Sequence, residues 1–493
     1  MRAPAKKKAR RIAPAGISAR LSAHIALQAD ADGNIVACFD DYSVALGKFS
    51  AGVVDRMQEL SGGVAIASFT AGRAVDKETG LLVHRLAQRG LLEFGLGRAG
   101  RDQIVIESQM SDYWPQIPKL GNHDVIALSR FAYLRRRGNE MVLESPRAGA
   151  LFRICDPKVA TALGLLSTPQ KIGALRRQPG FPGIELLALL VDCRILFRID
   201  ANGDGLRASE GDDNLVLWDF HDLLFHTRST QGRQANPLGG LYPYAGLIPP
   251  PPAVRPRWPG KTIDLGKVPA TPSEAPSPFT RLLHERHSTR DFDDTRPITL
   301  AELARFLDSA ARIQAKWNDK ADLGGGGPDI SYAARPYPSG GGAYELELYL
   351  AVGNCDGLAR GFYHYDADRH ALVPIGVKTP ELEAQLAAAE FAMGAPAAPQ
   401  ILITIAARFG RVSWKYSSVA YSLILKDAGV LLQTLYMMAT DMGLGGCAIG
   451  TNNIDLFAKM TGLEFHIEGP VGQFALGSKP ASTDEPPAQG SLD

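Results

Sequence analysis

Apolar residues along this chain recur at two spacings, and the places where one gives way to the other mark out the elements. From Ser50 to Leu60 and from Pro157 to Leu166 the spacing is helical. Gly80 to Phe94 starts the same way, with Leu81, Leu82 and Leu86, and then runs as a strand through Leu91-Leu92-Glu93-Phe94. Gly183 to Ile199 repeats that plan with Ile184, Leu186, Leu187 and Leu190, then Arg194-Ile195-Leu196-Phe197. A helical period that switches to a short apolar run marks a helix feeding a strand. Short alternating apolar segments lie ahead of each pair, so the order strand, helix, helix, strand occurs twice. It predicts two winged-helix-like modules in tandem, residues 21–130 and 131–247.

Prolines break the pattern next. Ile248 to Pro252, then Pro256, Pro259, Pro269, Pro272, Pro276 and Pro278, fix φ and remove backbone donors, which predicts a stiff linker over 248–278. Beyond it, Thr299 and Glu302 form the cap that opens a helix, carried to Ala311 by Leu300, Leu303, Phe306, Leu307 and Ala310. Leu346 to Val352 reads as a strand entering a sheet. Gly361 to Tyr365 and Leu372 to Ile375 read as a strand pair, and Gln400 to Ala406 as a buried central strand. Ala428 to Thr440 contains Gln433 and is bounded by Asp427 and Asp441, so it reads as a buried helix too short to span a bilayer. The expected fold class is α+β, with a carboxy-terminal domain over 279–482 made of a mixed sheet flanked by helices, and disordered tails at 1–20 and 483–493.

Composition narrows the function classes. With 53 Lys and Arg against 52 Asp and Glu the net charge is +1, and no apolar stretch follows the basic run Lys6 to Arg11. The chain thus lacks the basic field of a nucleic-acid or membrane-surface protein and the pattern of a signal peptide. The five cysteines, 38, 155, 193, 355 and 447, have no paired spacing, which argues against disulfides and zinc and for a reducing cytoplasm. Asp200-Ala201-Asn202-Gly203-Asp204-Gly205 starts like a calcium loop, but Gly211 stands where the bidentate Glu belongs, and Glu210 is one place out of register. The segment reads as a turn. His221 and His226 lack further ligands and read as packing residues, so no metal is expected.

The candidate chemistry lies after the linker. Glu285-Arg286-His287-Ser288-Thr289-Arg290-Asp291-Phe292 puts two fixed cations and a hydroxyl within five residues. Arg286 and Arg290 suit a phosphate gripped through paired N–H donors, and Ser288 adds a third donor. Arg335-Pro336-Tyr337-Pro338-Ser339-Gly340-Gly341-Gly342-Ala343 is a Gly-rich loop whose backbone can approach a phosphate or a flat ring closely. Gly443-Leu444-Gly445-Gly446 reads as a second such turn, before a strand. Lys415-Tyr416 sets an amine beside a phenol. Neighbours on a helix point about 100° apart, so the two share a site only where the backbone bends or a helix starts. These parts fit a cofactor with both a phosphate and a flat ring. No G-x-G-x-x-G opens a strand-turn-helix unit, which weighs against a dinucleotide fold.

On Arg286 to Phe292, Arg335 to Gly341, Lys415 to Ser418 with Tyr421, Asp427-Ala428-Gly429 and Gly443-Leu444-Gly445, the chain resembles the FMN-dependent nitroreductase superfamily. Within it the chain more closely resembles the SagB-type azoline dehydrogenases of ribosomal peptide biosynthesis. Trp218 to Asp222 with Phe225-His226 is similar as well. The resemblance implies FMN bound by Arg286, His287, Ser288 and Arg290, with Lys479 as a late cation for the phosphate. Pro338, Ser339, Gly340 and Gly341, and Leu444, Gly445 and Gly446, would line the isoalloxazine ring. It further implies a homodimer with the flavin at its interface, and amino-terminal peptide-clamp modules gripping a precursor peptide through its leader while the azoline-containing core reacts. A cyclodehydratase would be a partner. The implied reaction oxidises thiazoline or oxazoline to thiazole or oxazole, with hydride passing to flavin N5, the ring proton to Lys415 or Tyr416, and oxygen reoxidising the flavin. An ordinary Lys, with a pKa of about 10.4, is mostly protonated at neutral pH. The role therefore asks for burial and a cationic neighbour such as Arg411. Two other readings stay open: an NAD(P)H-dependent nitroreductase or flavin reductase, and a non-catalytic peptide-binding scaffold of a synthetase complex.

Overall fold

The computed structural model describes residues 16–39, 42–70, 73–98, 101–110, 113–179, 181–199, 210, 213–231, 242, 245–257, 259–267, 277–321 and 327–480. The basic run, the turn at 200–205, Gly211, Pro269 to Pro276, Gly324 to Gly326 and the tail at 483–493 lie outside the described residues. The chain forms two compact units, Met1–Asn236 and Pro237–Asp493.

One plan is used twice in the first unit. β1 (Ile17–Leu21) leads into the meander β2 (Ala26–Ala29), β3 (Asn34–Phe39) and β4 (Tyr42–Lys48). Then come α1 (Ala51–Met57), α2 (Glu59–Gly62), the short β5 (Val64–Ala65), α3 (Ala74–Ala87) and β6 (Leu92–Arg98). After β7 (Arg101–Ser108) the order recurs: β8 (Val125–Leu128), the meander β9 (Tyr133–Arg137), β10 (Glu140–Glu144) and β11 (Ala150–Ile154), then α4 (Pro157–Leu165), β12 (Gln170–Lys171), α5 (Ile172–Leu175), α6 (Ile184–Asp192) and β13 (Leu196–Arg198). In each copy the first strand lies between the short strand and the last one, antiparallel to both: β1 between β5 and β6, β8 between β12 and β13. Of the residues that set their period the helices bury Leu82 and Leu86 in α3 and Leu186, Leu187 and Leu190 in α6, whereas Leu81 is exposed.

The second meander does not stay with its own copy. β7 pairs with β11, so β5-β1-β6-β7-β11-β10-β9 is one seven-stranded sheet. This corrects the expected organisation in two ways. β8 opens the second copy ahead of the division placed at 130/131, and the shared sheet makes the two copies one unit. Separating them would strip the β7–β11 backbone bonds of their partners. Hydrophobic period distinguishes helix from strand but says nothing about which edge a strand joins. Past the repeats, α7 (Asp213–Val216) and α8 (Phe220–Arg228) follow, with Asp219 capping α8. His221 is exposed and bonds Asp219, whereas His226 is buried and stacks on Trp218.

In the second unit, the described residues of 245–267 hold one 3-10 turn, Leu265–Lys267, and no strand or α-helix. α9 (Pro278–Glu285) is capped by Ser277. α10 (Leu300–Ala311) has the expected box: Thr299 Oγ1 accepts the Glu302 N–H at 3.2 Å, and the Glu302 carboxylate accepts the Thr299 N–H at 2.9 Å. There follow the hairpin β14 (Ala315–Lys320) and β15 (Asp329–Ala334), then β16 (Leu346–Val352), β17 (Gly361–Asp366), β18 (Ala371–Ile375), α11 (Thr379–Met393), β19 (Ile401–Arg408), α12 (Phe409–Ser413), α13 (Ala420–Asp441), β20 (Leu444–Ile449), α14 (Ile454–Thr461) and β21 (Glu468–Ser478).

A six-stranded sheet, β18-β17-β16-β19-β21-β20, is the frame. Every pairing in it is antiparallel, so it is not the mixed sheet that was expected; strand direction leaves no trace in apolar spacing. Tyr349, Ala351 and Leu402 on one face pack with Leu382 and Leu386 of α11 and Phe457 and Met460 of α14. On the other face Phe474 stands between Phe306 of α10 and Tyr436 of α13, at ring-centroid distances of 6.5 and 5.0 Å.

Candidate functional site

The cationic segment Arg286 to Phe292 follows the end of α9 and is pinned to the sheet by its backbone. Thr289 N–H donates to Gly446 O at 2.8 Å, and Asp293 N–H to Ser478 O at 3.2 Å. Glycines make that approach possible. A Cβ at Gly445 would stand 2.7 Å from Thr289 Cγ2, and one at Gly477 2.7 Å from Phe292 Cδ1. Arg286 lies over the Tyr436 ring, 5.2 Å from its centroid, and Ser288 Oγ is 2.8 Å from Tyr436 Oη. Tyr436 Oη already accepts the Ala448 N–H at 2.8 Å. Its own proton can go to Ser288, whose hydroxyl also reaches the Cys447 thiol. Arg290 reaches the Cys447 thiol, which burial pushes up against the pull of that charge. His287 is exposed, with Nδ1 2.9 Å from the Glu285 carbonyl, so Nδ1 carries a proton.

Neither Arg286 nor Arg290 has a carboxylate partner among the described residues, and the buried Thr289 Oγ1 has no hydrogen-bond partner. Two guanidiniums with spare donors and one unpartnered hydroxyl fit an anion such as the phosphate of FMN. Lys479 is placed elsewhere along the same segment: its carbonyl accepts from Arg296 Nη2 at 3.2 Å, next to the Asp293–Ser478 bond.

Leu444, Gly445 and Gly446 are not the turn that the sequence suggested. They form the start of β20, paired with Ser478, Gly477 and Leu476, and the turn is the preceding Met442-Gly443, with Gly443 at φ 71°. At Gly446 a Cβ would overlap the Phe474 ring. Close packing explains these glycines, whose bare backbone looks the same in sequence as a ligand loop.

The loop 335–343 and the Lys-Tyr pair meet. α12 ends at Ser413 and the chain bends, with Lys415 N–H and Tyr416 N–H both donating to Val412 O at 3.0 and 2.9 Å. The bend sends both side chains to one point. Lys415 Nζ donates to Gly341 O at 3.2 Å, and the Tyr416 hydroxyl lies where a Cβ at Gly341 would be. Gly341 itself sits at φ 61°, a conformation open to glycine. Ser339 and Gly340 are tied to α13: Asp427 Oδ2 accepts the Gly340 N–H at 2.8 Å and the Ser339 hydroxyl at 3.0 Å. Pro338 is exposed. A pocket of about 290 Å³ opens beside these groups, lined by Tyr332, Gly341, Ala343, Arg411, Trp414 and Lys415.

Burial of Lys415 is not supplied. Its side chain is exposed, and the Arg411 guanidinium is spent on the carbonyls of Ala343 and Ser331 at 3.0 and 3.1 Å. Sequence reasoning missed Tyr436, which nothing in its neighbourhood marks. It quoted Asp427 without giving it a role, although an acid opening an apolar stretch signals a polar partner in the core.

Residues 283–478 match the nitroreductase family, and residues 126–235 match the cyanobactin oxidase ThcOx. The carboxy-terminal unit is a nitroreductase-family domain. The nitroreductase match begins in α9 and ends with β21, so it takes in both parts of the site, and it makes the chain an oxidoreductase. The ThcOx match starts inside β8, at the head of the second structural copy. A Methanocaldococcus jannaschii protein carrying the nitroreductase name is 29% identical over 169 residues, 34% of this chain and 76% of that one. Among solved structures, a nitroreductase of Ralstonia eutropha covers 46% of this chain and 98% of its own at 21% identity, with a TM-score of 0.30. The Escherichia coli microcin synthetase McbBCD complex, with truncated pro-MccB17 bound, covers 57% and 99% at 18% identity, with a TM-score of 0.37. Among the described residues no helix is long and apolar enough to cross a membrane.

Proposed function

We propose that the nitroreductase domain oxidises thiazoline or oxazoline rings of a ribosomally made precursor peptide to thiazole or oxazole, with FMN as the electron acceptor. The observation that carries this reading is the meeting of Lys415 Nζ and Tyr416 Oη at Gly341, beside an open pocket. Dehydrogenating such a ring removes a proton and a hydride from adjacent atoms, so an amine and a phenol at one point suit the proton. FMN, when bound, supplies the hydride acceptor. Arg286 and Arg290 hold its phosphate, with Ser288 as a further donor. A ThcOx match in the amino-terminal unit joined to a nitroreductase domain also supports a peptide-modifying oxidase.

The reading includes a homodimer. Tyr436, which orders the phosphate segment, and Asp427, which holds the Gly341 loop, are nine residues apart on α13. Nine residues are two and a half turns, so the two lie on opposite sides of the helix and about 13 Å apart along it. One flavin spans both parts if a second copy brings its loop to this copy's arginines, and that copy would also cover the exposed Lys415. In the first unit, a grip on the leader raises the local concentration of the core peptide.

The test is to incubate the FMN-loaded protein with azoline-containing peptides and weigh the products. A mass loss of about 2 Da per ring, abolished in Lys415→Ala, is expected. Fast NAD(P)H oxidation that survives Lys415→Ala, with no mass loss on any peptide, would replace this reading with that of a reductase.

A further inference from the structure

We propose that Glu345 and Asp427 share one proton and act as a positioning pair that locks Ser339 to Gly341 against Lys415 and Tyr416. What the loop is locked for rests on the function proposed above; the pair itself rests on a count of donors.

Glu345 is fully buried, at 0% exposure, and Asp427 is buried at 6%. Neither pairs with a cation among the described residues. Between them stands Ser339, whose Oγ is 3.0 Å from Asp427 Oδ2 and 3.3 Å from Glu345 Oε2, while it accepts the Tyr344 N–H at 3.0 Å. Its single proton cannot serve both carboxylates. Asp427 has a second donor, the Gly340 N–H at 2.8 Å, and Glu345 has only its own backbone N–H besides. Glu345 Oε1 has no partner. Two buried carboxylates within hydrogen-bond reach of each other, with so few donors, cannot both carry charge. The deeper and poorer of the two takes the proton, and Glu345 then becomes a donor to Asp427. Burial first, and then the charge of Asp427, raise the Glu345 carboxyl to about 7. The other groups that feel its charge are Tyr337 on the loop and Arg411 on α12.

With Glu345 neutral, Asp427 collects three donors, and two of them are loop groups, the Ser339 hydroxyl and the Gly340 amide. The next residue is Gly341, whose carbonyl accepts from Lys415 Nζ. Ionising Glu345 places a second negative charge against Asp427 and drives the two apart, which frees the loop at the point where Lys415 and Tyr416 meet it.

The experiment follows the melting temperature of the full chain against pH, for the wild type, Glu345→Gln and Asp427→Asn. The folded-state carboxyl lies above its unfolded value of 4.5, so its stabilisation is whole below that value and is lost as pH rises through about 7. The wild type should lose several degrees across that window that Glu345→Gln does not lose, because Gln still donates to Asp427, and Asp427→Asn should lose less than the wild type, because it removes the repelling charge and leaves the burial. An equal slope in wild type and Glu345→Gln overturns the pair. Should the variants fail to fold, infrared spectra of the wild type decide: a protonated carboxyl band present below about 7 and absent well above it is expected, and its absence at low pH overturns the pair. A merely structural role would leave the pH profile of azole formation alone, whereas the pair makes the alkaline fall of the wild type disappear in Glu345→Gln. A wild type that forms no azole at any pH removes the proposed function and leaves the melting and infrared results to judge the pair.

Discussion

Arginines on the amino-terminal sheet and arginines in the segment 286–290 are the same side chain in opposite settings. On the sheet, Arg20 reaches Glu93 and Asp102 at 2.6 and 2.7 Å, Arg137 reaches Glu107 at 2.6 Å, and Arg153 reaches Glu93 and Glu140 at 3.0 and 3.2 Å. These pairs cross β1, β6, β7, β9, β10 and β11 as a lattice in which each charge is answered from another strand of the sheet, one to three places away. Arg286 and Arg290 stand without a carboxylate, beside a buried Thr289 hydroxyl that has no partner. A paired guanidinium has its donors occupied and describes the fold; an unpaired one beside other spare donors describes a ligand. A net charge of +1 averages the two settings and distinguishes neither.

The comparison breaks most sharply on the double variant Arg286→Ala/Arg290→Ala. Each charge-assisted contact to phosphate contributes roughly 1.5–3 kcal/mol, so FMN affinity in a fluorescence titration should fall on the order of a thousandfold or more while the melting temperature of the flavin-free protein stays close to wild type. Affinity near wild type would mean that the unpaired arginines face no phosphate. Next in size, Lys415→Ala should slow azole formation by roughly 10²–10⁴ and leave FMN affinity unchanged, since the amine is tied to the Gly341 carbonyl and not to the phosphate segment. A variant that oxidises azolines at the wild-type rate would move the proton transfer to another group.

Parts of this were legible in the sequence and parts were not, for identifiable reasons. The capped α10 could be read because Thr299 and Glu302 satisfy each other within one turn, and local bonds are written in local sequence. The internal repeat could be read because α3 with β6 and α6 with β13 carry the same change of period. The sheet that fuses the two copies could not, since β7 and β11 meet through backbone groups common to every residue. The same limit hid β14 and β15 and made Gly445 and Gly446, which open β20, read as a turn. In the site, Arg286, Ser288 and Arg290 stood out as a cluster. The groups that set their geometry, Tyr436 and the Gly446 carbonyl, lie far along the chain and have no local signature.

Gly445→Val sharpens the comparison from the packing side. Its Cβ would press on Thr289 Cγ2 at 2.7 Å with Thr289 Cβ behind at 3.0 Å, and neither side of the contact is a flexible end. Overpacking of this kind costs roughly 1–3 kcal/mol, and here it acts by lifting the arginine segment off β20. The expected outcome is a lower melting temperature together with weaker FMN binding. A variant that melts lower but binds FMN as before would show that the segment keeps its shape without the strand beneath it.

The smallest effect is expected on the lattice. Arg153→Met keeps the buried stem and removes the charge. Glu93 still has Arg20 at 2.6 Å, and Glu140 still has Arg137 at 3.4 Å, so no carboxylate is left alone. The Arg153 side chain is 23% exposed, and pairs so placed are screened and contribute about 1 kcal/mol or less. The melting temperature should drop by a few degrees at low salt, the gap to wild type should narrow as salt is added, and FMN binding should not change. A loss of several kcal/mol that salt does not reduce would show that the crossing pairs act as one cooperative network. Paired arginines would then carry as much of the first unit as the unpaired ones carry of the second, and the contrast between the two settings would be one of position alone.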